Sequence, residues 1–458
     1  MQDFHSTDTI IALSTPPGIG AIGVLRVSGA NAISKTNELF KGKNLETQES
    51  HTIHFGTLRE GKEIVDEVLV SLFVGPNSYT GENVVEISCH GSEYIIQRII
   101  RIFGKLGVRY AKAGEFTRRA FLNGKFDLAQ AEAVADLISS DSEVSHRAAM
   151  NQMRGGFSEE IKVLRERLVH FASMIELELD FSEEDVEFAN REELKNLILD
   201  LQAKIQTLAD SFKVGNVIKN GVPTVIAGKP NAGKSTLLNA LLNEEKAIVS
   251  AIAGTTRDFI EDEMNIEGIG FRFIDTAGLR EAQDEIEAIG VERAKEKMKS
   301  ASLILYVLDM GEVKSLKAYE EQLEEVKSYG VPFIMVGNKA EFVSREAFTT
   351  LGNREEVCLI SAKTGDNLEV LKTKILERIN LPDFKAGNTI VTNARHYESL
   401  VSTQQALEEV IEALDNGVTG DFLALDIRNA TYQLGEITGQ ITTDDLLGNI
   451  FSKFCIGK

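Results

Sequence analysis

Eight consecutive residues, Gly228-Lys229-Pro230-Asn231-Ala232-Gly233-Lys234-Ser235, carry the spacing G-x-x-x-x-G-K-S. An apolar run, Val222 to Ala227, leads into them. Thr236-Leu237-Leu238-Asn239-Ala240-Leu241-Leu242 leads out in a helical pattern. The stretch therefore stands between a strand and a helix, where a phosphate-binding loop must stand. Its glycines let the backbone fold tightly and aim N–H groups at phosphate oxygens. Lys234 offers a point charge to the β- and γ-phosphates, and Ser235 offers a hydroxyl to Mg²⁺.

Four shorter motifs follow in a fixed order. Gly254-Thr255-Thr256-Arg257-Asp258 supplies a threonine able to reach Mg²⁺ and sense the γ-phosphate. Asp275-Thr276-Ala277-Gly278 follows the apolar run Phe271 to Ile274. An acid there can hold Mg²⁺ through water, and Gly278 N–H can meet the γ-phosphate. Asn338-Lys339-Ala340-Glu341 follows Phe333 to Val336, and Ser361-Ala362-Lys363 follows Val357 to Ile360. Each short motif is weak alone, whereas the ordered set, each member at a strand end, is strong. It resembles the G domain of translation-factor-type GTPases.

Two positions depart from that pattern. The fourth motif normally ends in Asp, whose carboxylate accepts from guanine; here Glu341, one methylene longer, stands in its place. Ras-like GTPases carry a water-orienting Gln after Asp-x-x-Gly; here it is Leu279, which cannot polarise water. The orienting group must come from elsewhere, and Arg280, Glu281, Asp284, Glu285 and Glu287 all follow within a few residues. Asn231 has two readings, a plain loop-forming residue or a ligand to a monovalent cation. Ser250, Ile252 and Thr255 could complete such a cation site.

The elements that must position these groups alternate strand and helix from Val222 to about Ile379, which predicts a mostly parallel sheet with helices on both faces. Upstream, strand-like runs (Thr9 to Leu13, Ala21 to Val27, His51 to Leu58, Val65 to Val74, Val84 to Ser88) and one helical run, Glu93 to Leu106, predict a compact α+β domain. Leu128 to Phe212 is helical. One face of Phe157 to Leu179 is predicted to carry Ile161, Leu164, Leu168, Phe171, Ile175 and Leu179. The acidic run Glu176 to Glu187 reads as a solvated linker or as a docking surface for a basic partner. Three more helices are predicted at His396 to Leu414, Asp421 to Leu434 and Thr443 to Phe454. Helical material on both sides of an intact α/β unit implies an insertion. The predicted organisation is thus residues 1–125, α+β; 126–220, first helical part; 221–380, nucleotide unit; 381–458, second helical part.

Composition narrows the class. The 458 residues suggest roughly three domains of about 150. A net charge of −21 argues against a broad nucleic-acid-binding surface. No run of eighteen apolar residues points to a membrane span, and Met1-Gln2-Asp3-Phe4-His5 lacks a signal-peptide layout. Cys89, Cys358 and Cys455 have no metal-ligand spacing, and a reducing cytoplasm is the simplest setting.

The order of domains and the ending Phe454-Cys455-Ile456-Gly457-Lys458 resemble the MnmE (TrmE) family of tRNA-modification GTPases, over essentially the whole chain. Thr15-Pro16-Pro17-Gly18, Tyr79-Thr80-Gly81-Glu82 and Gly114-Glu115-Phe116-Thr117 are further marks of it. The resemblance implies a multidomain fold: an α+β N-terminal folate-binding-like domain, a discontinuous α-helical domain and an inserted α/β P-loop GTPase domain. It implies a homodimer joined through the N-terminal domains, whose G domains meet when GTP and K⁺ are bound. The GTP contacts it implies are Asn231, Ala232, Gly233, Lys234, Ser235 and Thr236, then Ser250, Ala251, Ile252, Ala253, Gly254, Thr255 and Thr256. They continue with Asp275, Thr276, Ala277 and Gly278, then Asn338, Lys339 and Glu341, then Ser361, Ala362 and Lys363. Mg²⁺ falls to Ser235 and Thr256. K⁺ falls to Asn231, Ser250, Ile252 and Thr255, although the family commonly has Thr at position 250. The catalytic acid falls on Glu287.

Folate contacts carried over from the resemblance are Arg26, Glu82, Lys125 and Lys458, for a 5-formyl- or methylene-tetrahydrofolate. The family works with a flavin-dependent partner, MnmG. Together they install a carboxymethylaminomethyl or aminomethyl group at C5 of the tRNA wobble uridine. The acidic charge suggests that the partner supplies most of the tRNA affinity. Cys455 near this site reads first as a small packed residue and second as a nucleophile. Two other classes compete: a ribosome-assembly GTPase switch, and a GTPase regulating membrane transport. The first has no need of the N-terminal domain or the C-terminal ending, and the second is disfavoured by the lack of a membrane segment.

Overall fold

The computed structural model describes residues 8–180, 191–246, 262–274, 295–312, 316–342, 354–379, 389–416, 418 and 420–458. The chain folds as two compact units. One comprises Met1–Ile138, Met150–Gln206 and Glu398–Lys458; the other comprises Ser139–Ala149 and Thr207–Tyr397.

The first unit is built on strands β1 (Ile10–Leu13), β2 (Ile22–Ser28), β3 (Phe40–Lys41), β4 (Thr52–Glu60), β5 (Glu63–Phe73), β6 (Val84–His90) and β7 (Arg109–Tyr110). They form one sheet in the order β3-β4-β5-β6-β2-β1-β7, antiparallel except where β1 meets β7. Alternation sets its buried face: Asp66, Val68, Val70 and Leu72 of β5 point inward. Helix α1 (Ala32–Leu39) and α2 (Glu93–Lys105) accompany the sheet. Helix α2 buries Ile96, Ile99, Ile102 and Phe103, and places Glu93 in its first turn and Lys105 in its last, as the helix dipole favours. Each of these large apolar side chains contributes about 1.5–3 kcal/mol by leaving water.

Helix α3 (Glu115–Leu122) opens after Gly114, which is left-handed at φ 63°. Helices α4 (Leu128–Ser139), α5 (Glu143–Met153), α6 (Gly156–Asp180) and α7 (Arg191–Asn220) follow. In α6 the buried stripe is Phe157, Ile161, Leu164, Leu168, Ala172 and Ile175. Phe171 is only half-buried, which corrects the expected face. A 3.6-residue period carries the stripe from 168 to 172, leaving Phe171 on its flank. The Leu179 side chain lies outside the described residues. Helix α7 runs eight residues past the expected end at Phe212, because Gly215 fits a helix pressed against a neighbour. A Cβ there would lie 2.0 Å from the Val391 carbonyl oxygen. Gly221, at φ 70°, then ends the helix.

In the second unit, β8 (Val222–Ala227), β9 (Asp262–Ile266), β10 (Ile269–Ile274), β11 (Leu303–Asp309), β12 (Phe333–Asn338) and β13 (Val357–Leu359) form a sheet in the order β13-β12-β11-β8-β10-β9. All pairings are parallel except β9 with β10. Both faces are buried. Leu303, Leu305 and Val307 of β11 pack with α8 (Lys234–Lys246) and a later helix, α10 (Leu368–Ile379). The alternate residues Ile304, Tyr306 and Leu308 pack with α9 (Leu316–Lys327).

The remaining helices are α11 (Ala394–Asp415), α12 (Gly420–Thr438) and α13 (Asp444–Ser452). Thr443 is the N-cap of α13; its hydroxyl accepts from Leu446 N at 3.2 Å. Beyond α13 the chain returns to the first unit's sheet. Ala113 and Ile456 form a β-bridge, and Phe116 N donates to the Lys458 carbonyl at 3.2 Å. Gly457, at φ 98°, passes so close to β1 that a Cβ would lie 2.0 Å from the Leu13 carbonyl oxygen. Among the described residues no helix is long and apolar enough to cross a membrane.

Candidate functional site

The nucleotide candidate is assembled at the C-terminal ends of the parallel strands, where an open α/β sheet places its ligand site. The loop between β8 and α8 depends on two glycines. Gly228 has φ 137°, and a Cβ on it would lie 2.2 Å from the Val307 carbonyl oxygen. Gly233 has φ 95°, and a Cβ there would lie 2.2 Å from Asn338 Nδ2. Asn231 between them is left-handed at φ 61°. The result is a tight backbone cradle at a helix N-terminus, which suits an anion. Lys234 Nζ donates to the carbonyls of Gly228 and Lys229, each at 2.8 Å. Ser235 is half-buried in the first turn of α8. A glycine cradle, a lysine at its rim and a hydroxyl beside it fit a Mg²⁺–nucleoside triphosphate.

Asn338, at the end of β12, locks the cradle to the loop that follows β13. Its Nδ2 donates to Ala232 O at 2.9 Å, and its Oδ1 accepts from Ala362 N at 2.9 Å. This single buried amide joins three of the five motifs. Lys339 is left-handed at φ 62°; its Nζ donates to Asn231 O at 3.2 Å and to Asp309 Oδ2 at 2.5 Å. Glu341 lies exposed in the 3-10 turn Ala340–Phe342. Ser361 and Ala362 are buried, and Lys363 is exposed.

The structure thus brings together Asn231, Ala232, Gly233, Lys234 and Ser235 with Asn338, Lys339, Ser361 and Ala362. Thr236 is exposed on the first turn of α8. Ser250, Ala251, Ile252, Ala253, Gly254, Thr255, Thr256, Asp275, Thr276, Ala277, Gly278, Leu279 and Glu287 lie outside the described residues. Asp309 was not singled out by sequence reasoning. An acid at the carboxyl end of a central parallel strand was the available signal.

A second polar constellation lies on the first unit. Arg26 Nε and Nη2 reach Glu86 Oε1 at 3.0 and 2.8 Å, and the guanidinium lies 4.9 Å from the Tyr79 ring centroid and 5.7 Å from that of Phe116. Glu82 Oε2 accepts from Ser28 Oγ at 2.7 Å, and Arg119 Nη1 stands 3.2 Å from both Glu82 oxygens. Lys125 Nζ donates to Pro76 O at 3.1 Å. Lys458 enters through its carbonyl, bonded to Phe116 N. Arg119 also binds Asp8 and Glu115. Burial alone would raise the Glu115 carboxyl, but Arg109, the Lys112 amide and Arg119 outweigh it and hold the group below the usual carboxylate range. Arg26 and the C-terminal segment therefore meet at Tyr79 and Phe116, whereas Glu82 is tied to Ser28 and Arg119 and Lys125 to Pro76. A cation over aromatic faces beside a carboxylate has the donor and acceptor types a pterin with an acidic tail requires.

The thiols offer little chemistry. Burial pushes Cys89 and Cys358 each up to about 11, so both stay protonated at neutral pH. Cys455 is exposed.

A glycine-lined phosphate cradle, locked through Asn338 to the loop after β13 of a doubly covered parallel sheet, defines a P-loop nucleotide-binding unit of the GTPase class. Residues 9–125 match the family model described as GTP-binding protein TrmE N-terminus, and residues 128–455 match that of the MnmE helical domain. The tRNA modification GTPase MnmE of Cytophaga hutchinsonii is 60% identical over 99% of this chain and 98% of its own. That of Flavobacterium psychrophilum is 53% identical over 98% of this chain and 99% of its own. Among solved structures, Era in complex with MgGDPNP and a 16S ribosomal RNA segment is 30% identical, covering 40% of this chain and 66% of that one. Its TM-score is 0.28. The chain belongs to the MnmE family of tRNA modification GTPases.

Proposed function

We propose that this chain is a K⁺-dependent GTP hydrolase that acts in tRNA modification. The observation that carries this reading is the Asn338 lock, which sets a phosphate cradle at fixed distance from a base-side loop. The family membership supplies the tRNA context. In this reading Lys234 neutralises phosphate charge, and Ser235 and Thr256 hold Mg²⁺. Asn231, Ser250, Ile252 and Thr255 hold K⁺, which stands in for an arginine finger. Glu287 orients the attacking water, since Leu279 cannot. Asp275 to Gly278 sense the γ-phosphate, and Asn338, Lys339, Glu341 and Ser361 to Lys363 receive the guanine.

The N-terminal residues 1–125 hold a reduced folate through Arg26, Glu82, Lys125 and Lys458 and pair two copies into a homodimer. Residues 126–220 and 381–458 are the two parts of one helical domain, and residues 221–380 are its inserted G domain. A flavin-dependent MnmG-like protein completes the machinery that alkylates C5 of the wobble uridine. The tRNA is held mainly by that partner, because the net charge of −21 opposes a broad phosphate-binding surface.

Steady-state phosphate release by the purified full chain tests the hydrolase reading. GTP turnover in KCl is expected to exceed that in NaCl by about tenfold or more, because a charge in the arginine-finger position has large leverage on phosphoryl transfer. ATP is expected to be a poor substrate in either salt. Equal turnover of ATP and GTP would contradict the guanine assignment, and equal GTP rates in the two salts would contradict the K⁺ role.

A further inference from the structure

We propose that Asp309 is a positioning residue for nucleotide binding. It fixes Lys339 so that the lysine braces the phosphate loop from the base side. This rests on reading the unit as a guanine-nucleotide site. Asp309 ends β11, and its side chain is only 12% exposed. Its two oxygens have separate tasks. Oδ1 accepts from Gly311 N at 2.9 Å, which holds its own turn, and Oδ2 accepts from Lys339 Nζ at 2.5 Å. The same ammonium donates to the carbonyl of Asn231 at 3.2 Å. Asn231 and Lys339 are both left-handed, at φ 61° and 62°, a backbone region that residues with a side chain rarely occupy unless neighbours hold them there.

Both lysines of the site touch backbone carbonyls of the phosphate loop. Lys234 donates to two carbonyls of its own loop. Those bonds are readily exchanged for bonds to phosphate, since charge-assisted pairs are the stronger. Lys339 also rests on the largely buried carboxylate of Asp309, so its attachment persists when a nucleotide arrives. Asn338 and Lys339, adjacent in sequence, thus fasten the carbonyls of Ala232 and Asn231. The first does so through an amide held by Ala362 and the second through an ammonium held by Asp309. Without Asp309, the long lysine stem would keep one neutral partner and regain rotamer freedom. The phosphate loop would lose one of its two braces.

The test is a double-mutant cycle on the full chain, read as equilibrium affinity for a fluorescent GDP. Asp309→Asn retains an oxygen for Gly311 N and removes the charge facing Lys339. It is expected to weaken binding about tenfold, in line with the loss of a charge-assisted bond. In a Lys339→Met background the same change is expected to cost less than about twofold, because the brace is already gone. Asp309→Ser serves the same cycle if the amide variant does not fold. Equal loss in both backgrounds would assign Asp309 to turn structure alone, and no loss in the wild-type background would also overturn the proposal. A wild-type chain that binds no guanine nucleotide would instead overturn the guanine reading.

Discussion

Lys234→Ala is expected to lower affinity for GTP and GDP by about 100-fold or more while leaving the fold intact. Hydrogen bonds to charged groups contribute roughly 1.5–3 kcal/mol each, and one ammonium shared between two phosphates places the loss near 3 kcal/mol. The fold is insulated from this change. The loop's shape is set by Gly228, Gly233 and the Asn338–Ala232 bond, none of which uses the lysine side chain. Of the two residues whose carbonyls Lys234 contacts, Lys229 is exposed and Gly228 half-buried, so water can take over part of the ammonium's role. Titration with a fluorescent GTP analogue, paired with a melting curve, checks both halves of the prediction. An affinity within about threefold of wild type would remove the loop from nucleotide binding.

Glu287→Ala is expected to separate binding from chemistry. In the proposed mechanism the carboxylate orients water and makes no contact in the ground-state complex, so affinity for GTP is retained. Turnover in KCl falls by about 100-fold, the lower range for loss of a positioned general base. The position matters because Leu279 has no group with which to polarise water. Five charged residues follow it closely, and only the family resemblance selects Glu287 among them. Single-turnover hydrolysis in KCl, beside an affinity measurement, distinguishes the outcomes. Unchanged turnover would reassign the role to another acid of that segment, and lost affinity would make Glu287 a binding residue.

The parts of the site that were legible in the sequence are those whose chemistry is contiguous. The phosphate loop announces itself because glycine spacing, lysine and hydroxyl must occupy one turn, flanked by a strand and a helix. Each short motif gains meaning from the apolar run before it, and the parallel sheet follows from their alternation. Asp309 was hidden for the converse reason. Its partner is 30 residues away, and a lone acid at a strand end has no local signature until β11 and β12 are seen side by side.

Short elements were lost to the same locality. Helices α1 and α3, eight residues each, are too brief for periodicity to declare. The end of α7 is not legible locally because Gly215, weak in any helix by propensity, is required by a backbone contact to Val391 from a distant segment. The folate contacts were reachable only by resemblance. Arg26 alone is a strand residue; its place over Tyr79 and Phe116, with the Lys458 carbonyl bonded to Phe116, depends on contacts spanning most of the chain.

The central claim, that GTP hydrolysis by this chain serves tRNA modification, is tested most directly by nucleoside analysis of wobble uridines in tRNA from a strain lacking the gene. Loss of the C5 carboxymethylaminomethyl or aminomethyl group, restored by the wild-type chain and not by Lys234→Ala, is the result predicted. A normal wobble-uridine profile in the deletion strain would contradict it.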